Sequence, residues 1–429
     1  MILLNNALIM TMNKNIQYEN GFVLMDSDEQ SDSNITIRME FEDARFGIIL
    51  AVGAGDGLKE MMDWCLLKKK DTSNFTIINA HGGVVMPGFI DPHCHIGLWE
   101  DGQSDEDGDG NEESDPCTPH MRAIDAINPF DPCFREAVEG GITSVMTGPG
   151  SANVIGGQFA FLKTCGINIE KMIVKAPAAM KVAFGENPKS VYGKKNTAPG
   201  TRMGTAAILR EAFFKAMRYR DDLEKAKTDP KKDVPDFDIK SESLIPVIEG
   251  RLPLKIHAHR ADDMLTAIRI CNEFNLRFTL DHCTEGYRIA KDIYEEQLTG
   301  RLIGVIAGPL ISERCKPELA HLSIQNPSIL SKQGICTGIM TDHPVLPVQY
   351  LPVSVAIATR EGMDENKALE AITINAAKLC GVETRVGSLE VGKDADLVVM
   401  SGHPFEFRTK ILYTIINGKL EYTSSDTTI

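Results

Sequence analysis

No stretch of the 429-residue sequence approaches the ~18 uninterrupted apolar residues that a membrane-spanning helix needs. The apolar opening MILLNNALIM is broken by Asn5 and Asn6 and lacks a basic leader, so a secretory signal is not expected. Ten cysteines include no CxxC pair, and their density is far below that of small disulfide scaffolds. Reduced thiols are therefore expected. Only Cys94 and Cys283 lie beside residues of chemical interest, and free cysteine ordinarily packs as a small hydrophobe. Basic residues are in deficit, 45 Lys and Arg against 60 Asp and Glu, a net charge of −15. That balance argues against a nucleic-acid partner and against an anionic membrane surface. Together these absences lead us to expect a soluble, cytoplasmic protein.

What is present is an ordinary globular composition, 43% hydrophobic and 24% charged, over a length that suits a barrel with an accessory domain. Residues 1–84 read as short strands with Gly and Asn turns, and residues 385–429 return to that style, with Asn417-Gly418 placed as a hairpin turn would place it. Between them, apolar runs alternate with helical stretches, as βα units of a parallel sheet do. The strands VVMPGFIDPH, GITSVMTG, KMIVKAPAAMKVAFG, LPLKIHAH, RFTLDH, RLIGVIAGP and GICTGIMTDH supply six or seven of the eight that a barrel requires. The expectation is an α/β fold, a (β/α)8 TIM-type barrel over 85–384 with a small β-sandwich domain built by both terminal segments. Two stretches read as inserts. Residues 221–243 mix charges with two prolines, as a solvated loop or helix extension does, and residues 100–115 hold nine acidic side chains.

His93, His95, His257, His259, His282 and His343 all fall at or just past the carboxyl ends of apolar runs. In a parallel barrel those ends share one face, where the βα loops form the active site. Imidazoles far apart in sequence then converge, which is what metal binding needs. His93 and His95, two apart on a strand, face the same way and can present two nitrogens to one cation. Asp342 ends an apolar strand, where packing explains a carboxylate poorly; its bland alternative is a helix N-cap.

The segment Pro87-Gly88-Phe89-Ile90-Asp91-Pro92-His93-Cys94-His95 resembles the first metal-binding segment of the amidohydrolase superfamily, the urease-like metal-dependent hydrolases. KIHAH, LDH, MTDHP and VGSLEVGKDADLVV extend the resemblance over nearly the whole chain, and it is most similar to imidazolonepropionase-related members. In that superfamily a barrel carries a small β-sandwich formed by both termini. The resemblance makes His93, His95 and His257 ligands, His282 a residue of the sixth strand, and Asp342 the carboxylate of the eighth. Lys181 matches a lysine that many members carry carboxylated between two metals. One Zn²⁺ needs only His93, His95, His257 and Asp342; a second ion would enlist Lys181 and His282, and Fe²⁺ or Mn²⁺ are alternatives to zinc. Within KIHAH both His257 and His259 can point inward, and His259 is the candidate for substrate contact. His120, Arg202 and Arg260 are further candidates for substrate binding, the arginines through bidentate pairing with a carboxylate. The family also implies a homo-oligomer acting on a small molecule.

Two attractive motifs fail. Asp105-Glu106-Asp107-Gly108-Asp109-Gly110 begins like a calcium loop, but Pro116 stands where a bidentate Glu is required. The glycine-rich run 147–157 fits neither phosphate-binding pattern and reads as a tight βα loop near the site. The expected chemistry is hydrolysis of a non-peptide or cyclic C–N bond, an imidazolone-like compound or a small N-acyl or dipeptide substrate, with Asp342 as general base and acid and His282 as a donor to the developing oxyanion. A zinc-dependent deaminase of a small heterocycle is the alternative within enzymes, with Asp262 where that branch usually has a Glu. A catalytically inactive dihydropyrimidinase-like scaffold is the alternative outside them.

Overall fold

The computed structural model describes residues 1–27, 46–68, 75–100 and 108–425. The first part of the calcium-like run therefore lies outside the described residues. No described helix is long and apolar enough to cross a membrane.

The chain begins with β1 (Ile2–Met10), β2 (Gln17–Met25), β3 (Ile49–Ala54), β4 (Thr76–Asn79) and β5 (Val84–Pro87). Eight strands then form a nearly closed barrel in sequence order. They are β6 (Phe89–Cys94), β7 (Ile142–Thr147), β8 (Ile155–Lys163), β9 (Ile173–Ala183), β10 (Leu254–Ala258), β11 (Phe278–His282), β12 (Leu302–Ala307) and β13 (Thr337–Ile339). The chain returns to the first sheet with β14 (Leu397–Met400), β15 (Ile411–Ile416) and β16 (Lys419–Thr423). That sheet runs β16-β15-β14-β5-β1-β2-β3, with β4 also paired to β1, so both ends of the chain share it. Its last hairpin turns at Asn417 (φ 50°) and Gly418 (φ 70°), the two positive values that a type I′ turn demands and that Asn-Gly accepts.

The barrel departs from a regular (β/α)8 in one place. β8 runs antiparallel to both β7 and β9, while the other neighbouring pairs from β6 to β13 are parallel. The glycine-rich run is consequently the turn of a β-hairpin rather than a βα loop. Only glycine suits its tightest points: a Cβ on Gly148 would sit 2.4 Å from the Phe159 ring, and Gly157 has φ +130°. The seam between first and last strands is joined by the amide of Asp342 donating to His93 O (3.2 Å) and that of His95 to His343 O (2.9 Å).

Strand periodicity decides what faces the barrel axis. On β9, β10 and β11 the residues Met180, Val182, Leu254, Ile256, Ala258, Phe278 and Leu280 pack outward into one apolar cluster. There they meet Met264, Ala267, Ile270, Cys271 and Phe274, the apolar stripe of helix Ala261–Phe274. Each large side chain so buried contributes about 1.5–3 kcal/mol. The alternate residues, Lys181, Lys255, His257 and Asp281, are left to the interior. The long helix Arg202–Thr228 starts at a Thr201 cap and carries Leu209 and Phe213 inward, so the first part of the charged insert extends a helix.

Terminal sheet and barrel are fastened by buried charge. Lys163, the last residue of β8, reaches Asp394 Oδ2 at 2.9 Å and also pairs with Asp396, and Arg385 meets the same Asp394 oxygen at 2.8 Å. All three of Lys163, Asp394 and Asp396 are buried.

Candidate active site

His93, at the end of β6, is fully buried and spans two carboxylates. Its Nδ1 lies 2.5 Å from Asp281 Oδ2, and its Nε2 lies 3.6 Å from Asp342 Oδ1 and 3.2 Å from Lys181 Nζ. His95 donates from Nδ1 to Gly148 O at 2.7 Å, which leaves the Nε2 lone pair 3.3 Å from Asp342 Oδ1. Two acceptors that close require a proton or a cation between them. Asp342 itself has φ +55°, and His282 and Cys283 have +65° and +48°, left-handed values that non-glycine residues hold only where surroundings enforce them.

Across the barrel, His257, His259 and His282 present ring nitrogens within 4.8 Å of one another, and so do the ligand atoms of His93, His282 and Asp342. His282 belongs to both groups. Its Nδ1 donates to Gly308 O (3.1 Å), which aims Nε2 elsewhere, and His259 Nδ1 sits 2.8 Å from Thr284 Oγ1. Both nitrogens of His257 and the Nε2 of His259 are buried without a hydrogen-bond partner. Buried polar atoms are rarely left so, and an orphaned pair on one imidazole marks a place for a ligand. Burial holds His93, His257 and His282 well below the usual histidine range, helped by neighbouring cations and imidazoles; His259 is likewise held low by burial and by Lys316. Neutral imidazole is the metal-binding form.

Lys181 is completely buried, and that burial brings its amine down to about 8, against the pull of Asp281 and Asp342. Asp91 is pushed up to about 7 by burial, which outweighs the hydrogen bonds it accepts from the Thr341 hydroxyl, the Thr341 amide and the His93 amide. It clasps β6 to the segment that carries Asp342.

Above these groups opens a cavity of about 560 Å³ lined by His95, Trp99, Ser151, His257, His259, His282, Lys316 and Asp342 among others. The hairpin turn contributes Gly150, Ser151 and Ala152, and the Trp99 ring stands 4.9 Å from that of His95. A second cavity of about 740 Å³ lies at the opposite end of the barrel, beside Ile303 and Ile335, and has no histidine in its lining.

The structure thus brings together His93, His95, Lys181, His257, His259, His282 and Asp342. His120, Arg202 and Arg260 do not line the cavity; Arg202 pairs with Asp263 and Arg260 with Asp262, each at 2.9 Å. Asp262 is half exposed in that pair, away from the histidines. His343 turns away from Asp342 toward Asp131 and Cys133, and Asp131 caps the helix Pro132–Glu139. Sequence reasoning missed Lys255, Asp281 and Lys316. Lys255 was the most accessible of them, because it lies two residues before His257 on one strand and therefore shares its inward face.

Among solved structures, an amidohydrolase from Thermotoga maritima MSB8 superposes with a TM-score of 0.86 at 38% identity, covering 99% of this chain and 100% of that one. The chain belongs to the amidohydrolase family. The sequence profile described as the amidohydrolase family matches residues 308–420, the part of this amidohydrolase that includes Asp342. Amidohydrolase tasK of Hapsidospora irregularis is 28% identical over 89% of this chain. The match spans only 41% of that longer protein. An imidazolonepropionase of Symbiobacterium thermophilum is 46% identical over 56 residues, 13% of each chain.

Proposed function

We propose that the chain hydrolyses a C–N bond in a small molecule, using a divalent cation held by His93, His95, His257, His282 and Asp342. One observation carries the reading: these five donors, from four strands, gather below a cavity with an orphaned imidazole and a lone pair set against a carboxylate. The donor set fits Zn²⁺, with Fe²⁺ or Mn²⁺ as substitutes, because neutral nitrogens and one carboxylate suit these ions. With Nδ1 given to Gly308 O, His282 keeps one nitrogen for one ion, and a second ion would enlist Lys181 in carboxylated form. When bound, such an ion would supply Lewis acidity and a water of pKa about 7.

The chain's own residues do the rest. Asp342 accepts the proton of the attacking water and returns it to the departing nitrogen. The Gly148 and Gly308 carbonyls hold His95 and His282 in fixed tautomers. His259, on the cavity wall, meets the substrate carbonyl in this reading, and Trp99, beside His95, lines the same cavity. The imidazolonepropionase relatives support a cyclic amide or imidazolone-like substrate, and the cavity is wide enough for a small N-acyl or dipeptide compound as well. We read residues 1–84 with 385–429 as a β-sandwich domain seating the barrel of 85–384; the sheet they share supports that division. The exposed position of Asp262 disfavours deamination, and retention of every donor disfavours an inactive scaffold.

The test is metal analysis followed by a metal-replete screen of imidazolones, hydantoins, lactams, N-acyl amino acids and dipeptides. Stoichiometric zinc, iron or manganese is expected, lost in the His93→Ala, His95→Ala double variant. A protein with neither metal nor turnover on any class overturns the proposal.

A further inference from the structure

We propose that Lys255 and Asp281 are a positioning pair which fixes His93 in the one tautomer able to offer Nε2 to a cation. Asp281 Oδ2 lies 2.7 Å from Lys255 Nζ and 2.5 Å from His93 Nδ1, while Oδ1 accepts from the Thr279 hydroxyl at 2.7 Å. Lys255 also donates to Pro92 O at 2.8 Å, the carbonyl just before His93. Both charged side chains are buried, at 1% and 0% exposure. The contact between Nδ1 and Oδ2 needs a proton between them, and both oxygens of Asp281 already accept, from Lys255 and from Thr279. The imidazole therefore carries it on Nδ1, and the Nε2 lone pair faces Lys181 and Asp342.

The lysine is what fastens Asp281 in that contact. Its ammonium joins Asp281 Oδ2 to Pro92 O, tying the carboxylate of β11 to the backbone that carries His93. Without it Oδ2 can turn away from Nδ1, and the imidazole loses the acceptor that keeps its proton off Nε2. Lys255 thus acts on His93 through Asp281, from across the barrel, without touching the substrate. The inference rests on the metal-dependent reading given above.

The experiment measures Zn²⁺ affinity of the metal-free protein by competition with a chromogenic chelator, for the unaltered chain, Lys255→Met and Lys255→Arg. Lys255→Met is expected to bind zinc about 10–100-fold more weakly, the scale for outer partners of metal-bound histidines. Lys255→Arg, which keeps the charge, is expected to restore most of the loss. A Lys255→Met affinity within twofold of the unaltered chain overturns the proposal. If that variant does not fold, ¹⁵N-histidine spectra of the unaltered metal-free protein decide, with His93→Gln for assignment. An Nδ1–H tautomer of His93 supports the pair and an Nε2–H tautomer overturns it. An unaltered chain that binds no zinc sinks the metal-dependent reading instead, and the tautomer still judges the pair.

Discussion

Lys181 Nζ and His93 Nε2 face each other at 3.2 Å inside the barrel, the lysine from β9 and the histidine from β6. A lysine ammonium here donates to the very lone pair that a cation would use. The two demands conflict unless the lysine is altered or moves when the ion arrives, and the carboxylation proposed above would resolve the conflict by turning a donor into a ligand.

Growth with ¹³C-bicarbonate is accordingly expected to show a carbamate signal in the metal-loaded protein and none in Lys181→Met. Turnover in that variant is expected to fall more than ~10-fold, the lower bound for disturbing a metal site's partners. An unmodified lysine in a fully active protein would remove Lys181 from the centre.

Asp342→Asn keeps the side-chain shape and loses the proton acceptor. The expected loss in kcat is about 10²–10⁴-fold, the usual reach of general acid–base catalysis, with KM changed far less. Equal turnover by this variant would end the assigned role, whatever metal it retains.

Lys163→Met removes the buried ammonium that Asp394 and Asp396 share, while Arg385 still reaches Asp394. Breaking a buried ion network costs about 3–5 kcal/mol. Denaturant melts at neutral pH should show it, and the deficit should shrink in acid as the uncompensated carboxylates take up protons.

Asp238 caps the helix Ile239–Ile248, and a hydrogen bond from Lys215, 2.7 Å away, helps hold its carboxyl down at about 2, against the usual 3.8. A depressed carboxyl stabilises the fold fully above pH 3.8, and the gain is lost as pH falls through about 2. Asp238→Ala should cost about 1 kcal/mol at neutral pH and flatten the acid limb of the stability profile over that window.

Much of this was legible before any coordinates. Histidines and an acid at strand ends were visible because strand periodicity and a shared rim are local and topological rules. Lys255 and Asp281 were not, because their meaning lies in a contact between His93 and a residue 188 positions away, and no spacing encodes that. β8 was hidden by its own beginning: Gly156 and Gly157 disguised the strand as loop, although FAFL is a short apolar run such as a buried strand makes. Arg202 and Arg260 drew attention as free cations. Acids close by in the fold, Asp263 and Asp262, had already claimed them.

The reversed strand has a mechanical consequence. β8 enters at the catalytic rim, passes Phe159 beneath Gly148 and 5.5 Å from the His93 ring, and ends at the ammonium that grips the terminal sheet. A parallel strand in that slot would have delivered its final residue to the rim and left the floor unattached. Here a single strut of nine residues runs from foundation to workbench. Strain at the foot of the molecule has a direct path to the imidazoles, so loosening the terminal sheet should blunt the chemistry well before the barrel itself comes apart.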